Sequence, residues 1–166
     1  MSAAGASRIK VIGIGNEWRG DDAAGLLVAR LLQDQDLGPV TVCESLGDAA
    51  NLLAAWQGAE MVVMVDAVVA GWPPGHLHRF EARGRALALH FGESCSTHAW
   101  GVAEALALGS IFQELPEHLI LIGVEGRNFD FGQELTPEVK AAIPAAARLV
   151  KAEVANLLAA TAGGAS

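Results

Sequence analysis

The chain has 166 residues and a formal net charge of −8, with 52% hydrophobic and 18% charged residues. This length fits one domain with a proper core, and this composition excludes a disordered chain. The acidic balance excludes a nucleic-acid partner or an anionic membrane, because both need a basic surface. Two cysteines, Cys43 and Cys95, are too few for a disulfide scaffold. The chain has no apolar run of the roughly 18 residues that a membrane span needs and no signal-peptide pattern, so we expect a cytoplasmic protein.

Hydrophobic runs between turn residues predict five strands. A β-branched run that ends in glycines predicts the first strand over residues 8–15, and a second is predicted over residues 40–44. Residues 60–69 and 118–125 are continuous apolar runs, which are typical of strands buried on both faces of a parallel sheet. An alternating pattern over residues 76–81 indicates an edge strand.

Helical spacing of apolar residues predicts four helices. They are expected over residues 22–33, 48–57 and 97–112, and from residue 136 onward. Pro137 stands at the favoured first position of the last helix. Because Pro144 lies inside the same apolar stripe, we expect this helix to be kinked there or to begin later.

Strands that alternate with helices predict the fold class. The pattern is typical of a three-layer αβα domain, with a mostly parallel, twisted sheet of about five strands flanked by helices. We find neither an internal repeat nor a linker, and we therefore expect residues 1–166 to form a single domain. The ends, residues 1–7 and 162–166, are expected to be disordered.

The stretch VIGIGNEWRGDDAAG, over residues 11–25, is the most informative in the chain. An apolar strand runs into a glycine-containing turn and then into two carboxylates, Asp21 and Asp22, at the start of a helix. A helix N-terminus attracts phosphate in many α/β folds. Two carboxylates would repel a pyrophosphate and suit a cation better. The first turn of a helix favours an acidic residue by roughly 0.3–1 kcal/mol, which explains one carboxylate without requiring the second.

Active sites of open α/β sheets gather at the carboxyl ends of the strands. The polar residues predicted at those ends are Asn16, Glu17, Asp21, Asp22, Glu44, Asp66 and Glu125. Asp66 follows the most apolar strand, where a lone carboxylate is costly unless it is hydrogen-bonded, paired or bound to a cation. From the residues alone, hydrogen bonds from the next loop and a functional role are equally good explanations of Asp66.

His98 lies at the predicted start of a helix, with Thr97 as the expected N-cap. The positive end of the helix dipole disfavours the imidazolium, so we expect a neutral ring that is able to bind metal. An ordinary polar residue in a capping turn is the alternative. Asp22, Asp66 and His98 would together offer two oxygens and one nitrogen, which suits Zn²⁺ or Ni²⁺. Sequence spacing does not show that the three side chains meet.

Other polar and aromatic residues carry weaker signals. His76 and His78 share one face of a strand, and we expect a solvated edge rather than a metal pair. Cys95 is interpreted as a buried thiol rather than a nucleophile. His90 and His118 have no supporting context. The remaining aromatic residues are Trp18, Trp72, Trp100 and those of the loop over residues 129–132. We expect core or loop packing for most of them, and the alternative is that they line a surface groove.

Four segments resemble the [NiFe]-hydrogenase maturation endopeptidases. They are GIGNEWRGDDAAG, the apolar strand that ends in Asp66-Ala67, the segment STHAWG and the stretch GVEGRNFDFGQELTPEV. The likeness covers nearly the whole chain in order. It implies a cytoplasmic α/β enzyme that removes a short C-terminal extension from the hydrogenase large-subunit precursor after nickel insertion.

The resemblance also implies a metal site formed by Asp22, Asp66 and His98. Asp22 takes the place of a glutamate found in some members. The implied metal is nickel carried by the precursor, and zinc or cadmium could substitute in the isolated protein. The three residues are therefore our candidate catalytic and metal-binding residues, while Asp21 is expected to serve the helix start. The ion could polarise the scissile carbonyl or activate a water, with a carboxylate as base. We expect a monomer whose partner is the precursor.

Two other functions remain open on the sequence. A non-enzymatic nickel chaperone or docking module could use the same three ligands. A dinucleotide-binding oxidoreductase is supported by Gly13 and Gly15 after a strand and by Glu44 after the next. Against the oxidoreductase, Trp18 occupies the place of the third glycine of GxGxxG, and the paired aspartates oppose a pyrophosphate.

Overall fold

One five-stranded sheet forms the centre of the molecule, in the order β2-β1-β3-β5-β4. The structure is a computed structural model that describes residues 8–83 and 98–164. Strands β1, β2, β3 and β5 are mutually parallel, whereas β4 lies antiparallel to β5 at one edge. The strands are β1 Ile9–Ile14, β2 Val40–Ser45, β3 Met61–Val68, β4 Leu77–Arg83 and β5 His118–Glu125. The prediction of a mostly parallel sheet of about five strands is confirmed.

Helices cover both faces of the sheet and complete the three layers. The helices are α1 Ala24–Gln33, α2 Ala49–Trp56, α3 Ala99–Phe112 and α4 Pro137–Gly163. A 3-10 turn over Gly20–Ala23 precedes α1. Helices α1 and α4 pack on one face, and α2 and α3 pack on the other. Among the described residues, no helix is long and apolar enough to cross a membrane.

The central position of β3 in the sheet explains why the sequence of this strand is continuously apolar. Val63 and Val65 belong to the core under α1 and α4, whereas Val62 and Met64 belong to the core under α2 and α3. Successive side chains of a strand point to opposite faces, so a strand covered on both sides needs apolar residues at every position. Burial of both faces makes the sheet a rigid base for the polar residues at its carboxyl ends.

The start of α1 differs from the prediction by two residues. The α-helix begins at Ala24, and the predicted first position, Asp22, belongs to the 3-10 turn. Gly25 lies against the sheet so closely that a Cβ there would be 2.2 Å from the carbonyl oxygen of Ile14 and 2.3 Å from that of Val65. The glycine therefore lets α1 lie against β1 and β3, and the turn that carries Asp22 is held where these strands end.

Helix α4 begins where the Thr136-Pro137 pattern predicts, so the alternative of a later start near Pro144 is wrong. The helix begins at Pro137 and runs unbroken past Pro144 to Gly163. Proline removes one intrahelical hydrogen bond. The predicted apolar stripe is buried on both sides of Pro144, from Val139 to Leu157, and this packing compensates for the lost bond. The helix includes residues 162 and 163, where we expected disorder; residues 1–7, 165 and 166 lie outside the described chain.

Candidate metal centre

The three predicted ligands meet at the carboxyl end of the sheet. One ligand atom from each of Asp22, Asp66 and His98 lies within 4.8 Å of the others. His98 Nδ1 lies 3.0 Å from Asp66 Oδ1, and His98 Nε2 lies 3.6 Å from Asp22 Oδ2. Both carboxylates are fully buried, while the imidazole side chain is 14% exposed. The cluster sits between β1 and β3, where the order of the strands reverses, which is the usual place of a ligand site in an open α/β sheet.

Two glycines hold the imidazole of His98 in place. His98 occupies the N-cap position of α3, and its carbonyl accepts a hydrogen bond from the Val102 amide at 3.0 Å. Gly47, in the loop after β2, has a φ of +86°, and a Cβ there would lie 2.6 Å from the ring. A Cβ at Gly101 would lie 1.8 Å from the Gly47 carbonyl oxygen. Only residues without a side chain allow the loop and α3 to approach this closely, and the loop therefore forms one wall of the site.

The electrostatics of His98 differ from the expectation of a neutral ring. Burial lowers the pKa of His98, but the hydrogen bond and charge of Asp66, together with the charge of Asp22, raise this pKa above its ordinary value. The helix dipole is therefore outweighed by two carboxylates. Arg19 opposes them, and its Nη1 lies 3.6 Å from Asp22 Oδ2. Because histidine binds metal in its neutral form, proton binding and metal binding at His98 would compete.

The donor set fits a divalent cation of borderline softness. Two carboxylates and one imidazole are the oxygen and nitrogen ligands found for zinc and nickel. Two buried carboxylates this close repel each other unless positive charge lies between or beside them. The imidazole lies close enough to both carboxylates to supply that charge when it is protonated, and a metal ion would supply more. Three protein ligands leave further coordination positions for water or substrate.

Asp21 has a different role from the one predicted, and the expectation that it serves the helix start is wrong. Its carboxylate accepts hydrogen bonds from the backbone amides of Arg127 at 2.8 Å, Asn128 at 3.0 Å and Thr136 at 2.7 Å. The Thr136 hydroxyl also donates to it at 3.2 Å. The 3-10 turn directs Asp21 toward the loop between β5 and α4, while its neighbour Asp22 faces the metal centre. Asp21 is thus an anchor for that loop.

Glu125, another acid predicted at a strand end, anchors a second loop. Its carboxylate accepts hydrogen bonds from the amides of Ala70 at 2.9 Å and Trp72 at 3.0 Å, and His78 Nε2 lies 2.9 Å away. Burial raises the pKa of Glu125, but the hydrogen bonds from Ala70 and His78 lower it by more, so the pKa lies below its usual value. His78 is only 10% exposed, so the expectation of a solvated edge is wrong for this residue.

The other described histidines and cysteine make contacts or have surroundings that the sequence did not indicate. His118, which had no sequence context, is buried with its Nε2 2.6 Å from Glu81 Oε1. His76 stacks on Trp72, with ring centroids 4.6 Å apart. Burial raises the pKa of the Cys43 thiol. The predictions for His90, Cys95 and Thr97 concern residues outside the described chain.

Exposed apolar side chains lie at the same end of the sheet as the centre, so core packing is excluded for them, although Trp72 packs on His76 within its loop region. Trp18, Trp72 and Phe131 are 68%, 57% and 72% exposed. Each lies in a loop that follows the carboxyl end of a strand. Trp18 also lines a groove of about 300 Å³ beside the centre, with Asn16 and Leu46 among the other lining residues. Large exposed apolar groups around a site are typical of surfaces that bind another protein. The side chain of Trp100 lies outside the described part.

Comparisons with known proteins give one consistent family. The family model described as "Hydrogenase maturation protease" matches residues 27–153, a span that contains Asp66 and His98 and begins just after Asp22. A hydrogenase expression/formation protein, HupD of Thiocapsa roseopersicina, is 33% identical over 135 residues, which are 80% of this chain and 61% of that protein. The hydrogenase 2 maturation protease of Escherichia coli is 28% identical over 148 residues, which are 87% of this chain and 89% of that protein.

Solved structures agree with the sequence comparisons. The hydrogenase maturating endopeptidase HybD from Escherichia coli superposes with a TM-score of 0.77 and 26% identity, over 90% of this chain and 93% of that one. A [NiFe] hydrogenase maturation protease from Thermococcus kodakarensis superposes with a TM-score of 0.73 and 26% identity, over 89% and 99% of the two chains. The chain therefore belongs to the hydrogenase maturation protease family, whose enzymes hydrolyse peptide bonds.

Proposed function

We propose that this chain is an endopeptidase that removes the C-terminal extension of a [NiFe]-hydrogenase large-subunit precursor after nickel insertion. In this proposal Asp22, Asp66 and His98 recognise the nickel that the precursor carries. The convergence of these three side chains within 4.8 Å carries the proposal. The names of the relatives, which refer to hydrogenase maturation and proteolysis, support the choice of substrate.

Nickel is cargo of the substrate here, and the protein supplies the ligands that examine it. A precursor without the ion would offer nothing that the two buried carboxylates and the imidazole could bind together. A loaded precursor would neutralise the carboxylates and bind through the side of the centre that His98 leaves open. Bound nickel would polarise the scissile carbonyl or lower the pKa of a water. One of the two carboxylates, Asp22 or Asp66, then accepts the proton of the attacking water.

Tail removal from the nickel-loaded precursor tests this function. We expect Asp22→Asn, Asp66→Asn and His98→Ala each to lower the rate at least about 100-fold, since each removes a ligand from the transition state. Asp34→Asn, on an exposed aspartate outside the centre, is the matched control and should process at the wild-type rate. Mass spectrometry of the precursor reports the cut directly.

Three outcomes would contradict the proposal in different ways. Normal processing by all three folded variants would remove these residues from the mechanism. Equal processing of nickel-free and nickel-loaded precursor by the wild type would refute recognition of the metal. Binding of the loaded precursor without any cleavage would identify a docking module instead of a peptidase.

A further inference from the structure

The outer edge of β2 is open along the part of the chain that the structure describes. Strand β2 ends the sheet and pairs only with β1 among the described strands. The Ser45 carbonyl accepts a hydrogen bond from the Gly15 amide at 3.1 Å, so Ser45 faces β1. Because backbone groups alternate along a strand, Val42 and Glu44 direct their N–H and C=O groups away from β1. No described residue is hydrogen-bonded to these outward backbone groups.

Two grooves follow this edge in sequence. One of about 190 Å³ is lined by Val40 and Val42 together with the end of α1 and the loop after it. The second, of about 300 Å³, is lined by Glu44 and the residues after it. The strand advances about 10 Å over the three steps from Val42 to Ser45. A chain in extended conformation could therefore lie along both grooves and satisfy the open backbone groups of β2.

The second groove ends beside the candidate metal centre. Asn16, which lines the groove, donates its amide hydrogen to the Asp22 carbonyl at 3.3 Å. Gly47, which directly follows the lining residue Leu46, contacts the ring of His98. A segment that lies on β2 with one end at Leu46 thus has that end at the centre.

We propose that the extended C-terminal segment of the precursor adds to the outer edge of β2 as a sixth strand, with its backbone bonded to Val42 and Glu44. This inference rests on the proposed function and specifies how the substrate is held. Strand addition supplies affinity through the backbone without regard to sequence. A segment bound along β2 in this way would reach the centre at one end, and the peptide bond to be cut must lie there.

The chemistry of the groove determines which kind of extended segment fits it. Trp18 and Leu46, which are 68% and 64% exposed, offer an apolar surface for a side chain near the junction. Glu17 and Glu44 both pair with Arg30, at 3.3 and 2.8 Å, so two carboxylates face one guanidinium. This excess of negative charge disfavours an acidic residue at the same point of the segment. A neutral or basic extended segment fits the groove.

Val42→Pro tests strand addition because proline lacks the N–H that points outward. Proline is tolerated on an edge strand when its missing N–H faces solvent, so the ladder to β1 stays intact. We expect the KM for the nickel-loaded precursor to rise at least about 10-fold while kcat changes little. Glu114→Gln, on an exposed glutamate that follows α3 and has no part in the proposed binding edge, is the control and should stay within about two-fold of wild type. Zinc binding at the centre reports whether Val42→Pro is folded.

A second measurement on the wild-type chain does not depend on the folding of the variant. A synthetic peptide of the precursor's C-terminal extension is added up to millimolar concentration, and amide hydrogen exchange is followed by NMR. Val42 and Glu44 should exchange at least about 10-fold more slowly with the peptide, whereas Thr41 and Cys43, which face β1, should not change.

The outcomes separate this inference from the proposed function. Processing by folded Val42→Pro with an unchanged KM, or unchanged exchange at Val42 and Glu44, would overturn strand addition and leave the peptidase function standing. Slow exchange at these two amides without peptide, increasing with protein concentration, would mean that a second copy occupies the edge. Failure of the wild type to process any loaded precursor would refute the proposed function itself.

Discussion

Asp21 and Asp22 are adjacent in the chain, yet they serve different parts of the molecule. Asp22 is fully buried at the candidate metal centre, with its Oδ2 3.6 Å from His98 Nε2. Asp21 is also fully buried, and its carboxylate accepts hydrogen bonds from three amides of the loop between β5 and α4. One short turn therefore connects the metal centre to the start of the longest helix.

Asp21→Asn should lower stability without removing a ligand. An asparagine side chain has one oxygen and an NH₂ group, so at least one amide donor of the loop would lose its acceptor in a buried place. We expect the free energy of unfolding to fall by about 2–3 kcal/mol, measured by urea denaturation. Asp22→Asn is the matched variant, and it should weaken zinc binding far more than stability. Equal stability of Asp21→Asn and wild type would contradict the anchor role.

The sequence identifies the members of the candidate centre better than it identifies the loop anchors. Asp22, Asp66 and His98 could be selected because they lie at strand ends or a helix start, where ligand sites of α/β sheets occur. The partners of Asp21 are more than 100 residues away in the chain, at separations of 106 and 107. Local pattern contains no information on such a contact. The pKa of His98 was also mispredicted, since it depends on two carboxylates from other elements.

Strand β4 is joined to its neighbours by its antiparallel ladder to β5 and by one charged cluster. Arg79 pairs with Glu81 at 2.8 Å and also with Glu153 of α4. Glu81 in turn lies 2.6 Å from His118 Nε2 at the start of β5. The hydrogen bond from Arg79, partly opposed by burial, lowers the pKa of Glu81 to about 2, with further lowering by the hydrogen bond of His118. The cluster therefore connects the antiparallel edge strand to a helix and to the sheet.

Glu81 should make stability depend on pH in the acid range. Because its folded pKa of about 2 lies below the ordinary glutamate pKa of 4.5, its stabilising contribution is complete above pH 4.5 and is lost as the pH falls toward 2. We expect wild type to lose about 1–2 kcal/mol over this range through Glu81, a value reduced for its 29% exposure. Urea denaturation at several pH values measures the loss.

Glu81→Gln is the variant that isolates this effect. It should be less stable than wild type near neutral pH, and the difference should disappear as the pH approaches 2. Glu114→Gln, on an exposed glutamate, should keep the acid dependence of wild type. A constant difference between Glu81→Gln and wild type at all pH values would show that the ionised carboxylate is not the cause.

The elements themselves were predictable from periodicity, and the errors lie where distant packing decides. Residues 118–125 were predicted as a strand with the bounds that the structure shows. The start of α4 at Pro137 was predicted, but the alternative of a later start near Pro144 was wrong, since a burial stripe that runs on both sides of the proline outweighs one lost hydrogen bond. The 3-10 turn before α1 depends on contacts with the loop after β5, including the bond from the Asp21 amide to the Asn128 carbonyl at 2.8 Å.

At the scale of the whole molecule, the layer architecture followed from the alternation of strands and helices. The strand order did not, because the position of β5 between β3 and β4 is set by long-range pairing. The metal centre depends on that order. Asp22 comes from the turn after β1, Asp66 from β3 and His98 from the start of α3. All three side chains reach one point only when the complete sheet and the helices on it have formed.

Metal binding should therefore stabilise the whole fold. A ligand that binds only the folded state contributes about 2.7 kcal/mol at a concentration 100 times its Kd. We expect zinc, cadmium or nickel to raise the Tm of the wild type in a concentration-dependent way, measured by differential scanning calorimetry. Asp66→Asn should show little of this rise, while Asp34→Asn should show all of it. An equal rise in Asp66→Asn would place the binding elsewhere.

The separation of the three ligands along the chain has a consequence during synthesis. The two aspartates leave the ribosome well before His98, and the strand that closes the sheet between β3 and β4 follows later still. A nascent chain therefore lacks the assembled cluster until α3 and β5 have been added. Under the proposed function, a copy without these later elements would lack the ligand set that recognises a loaded precursor.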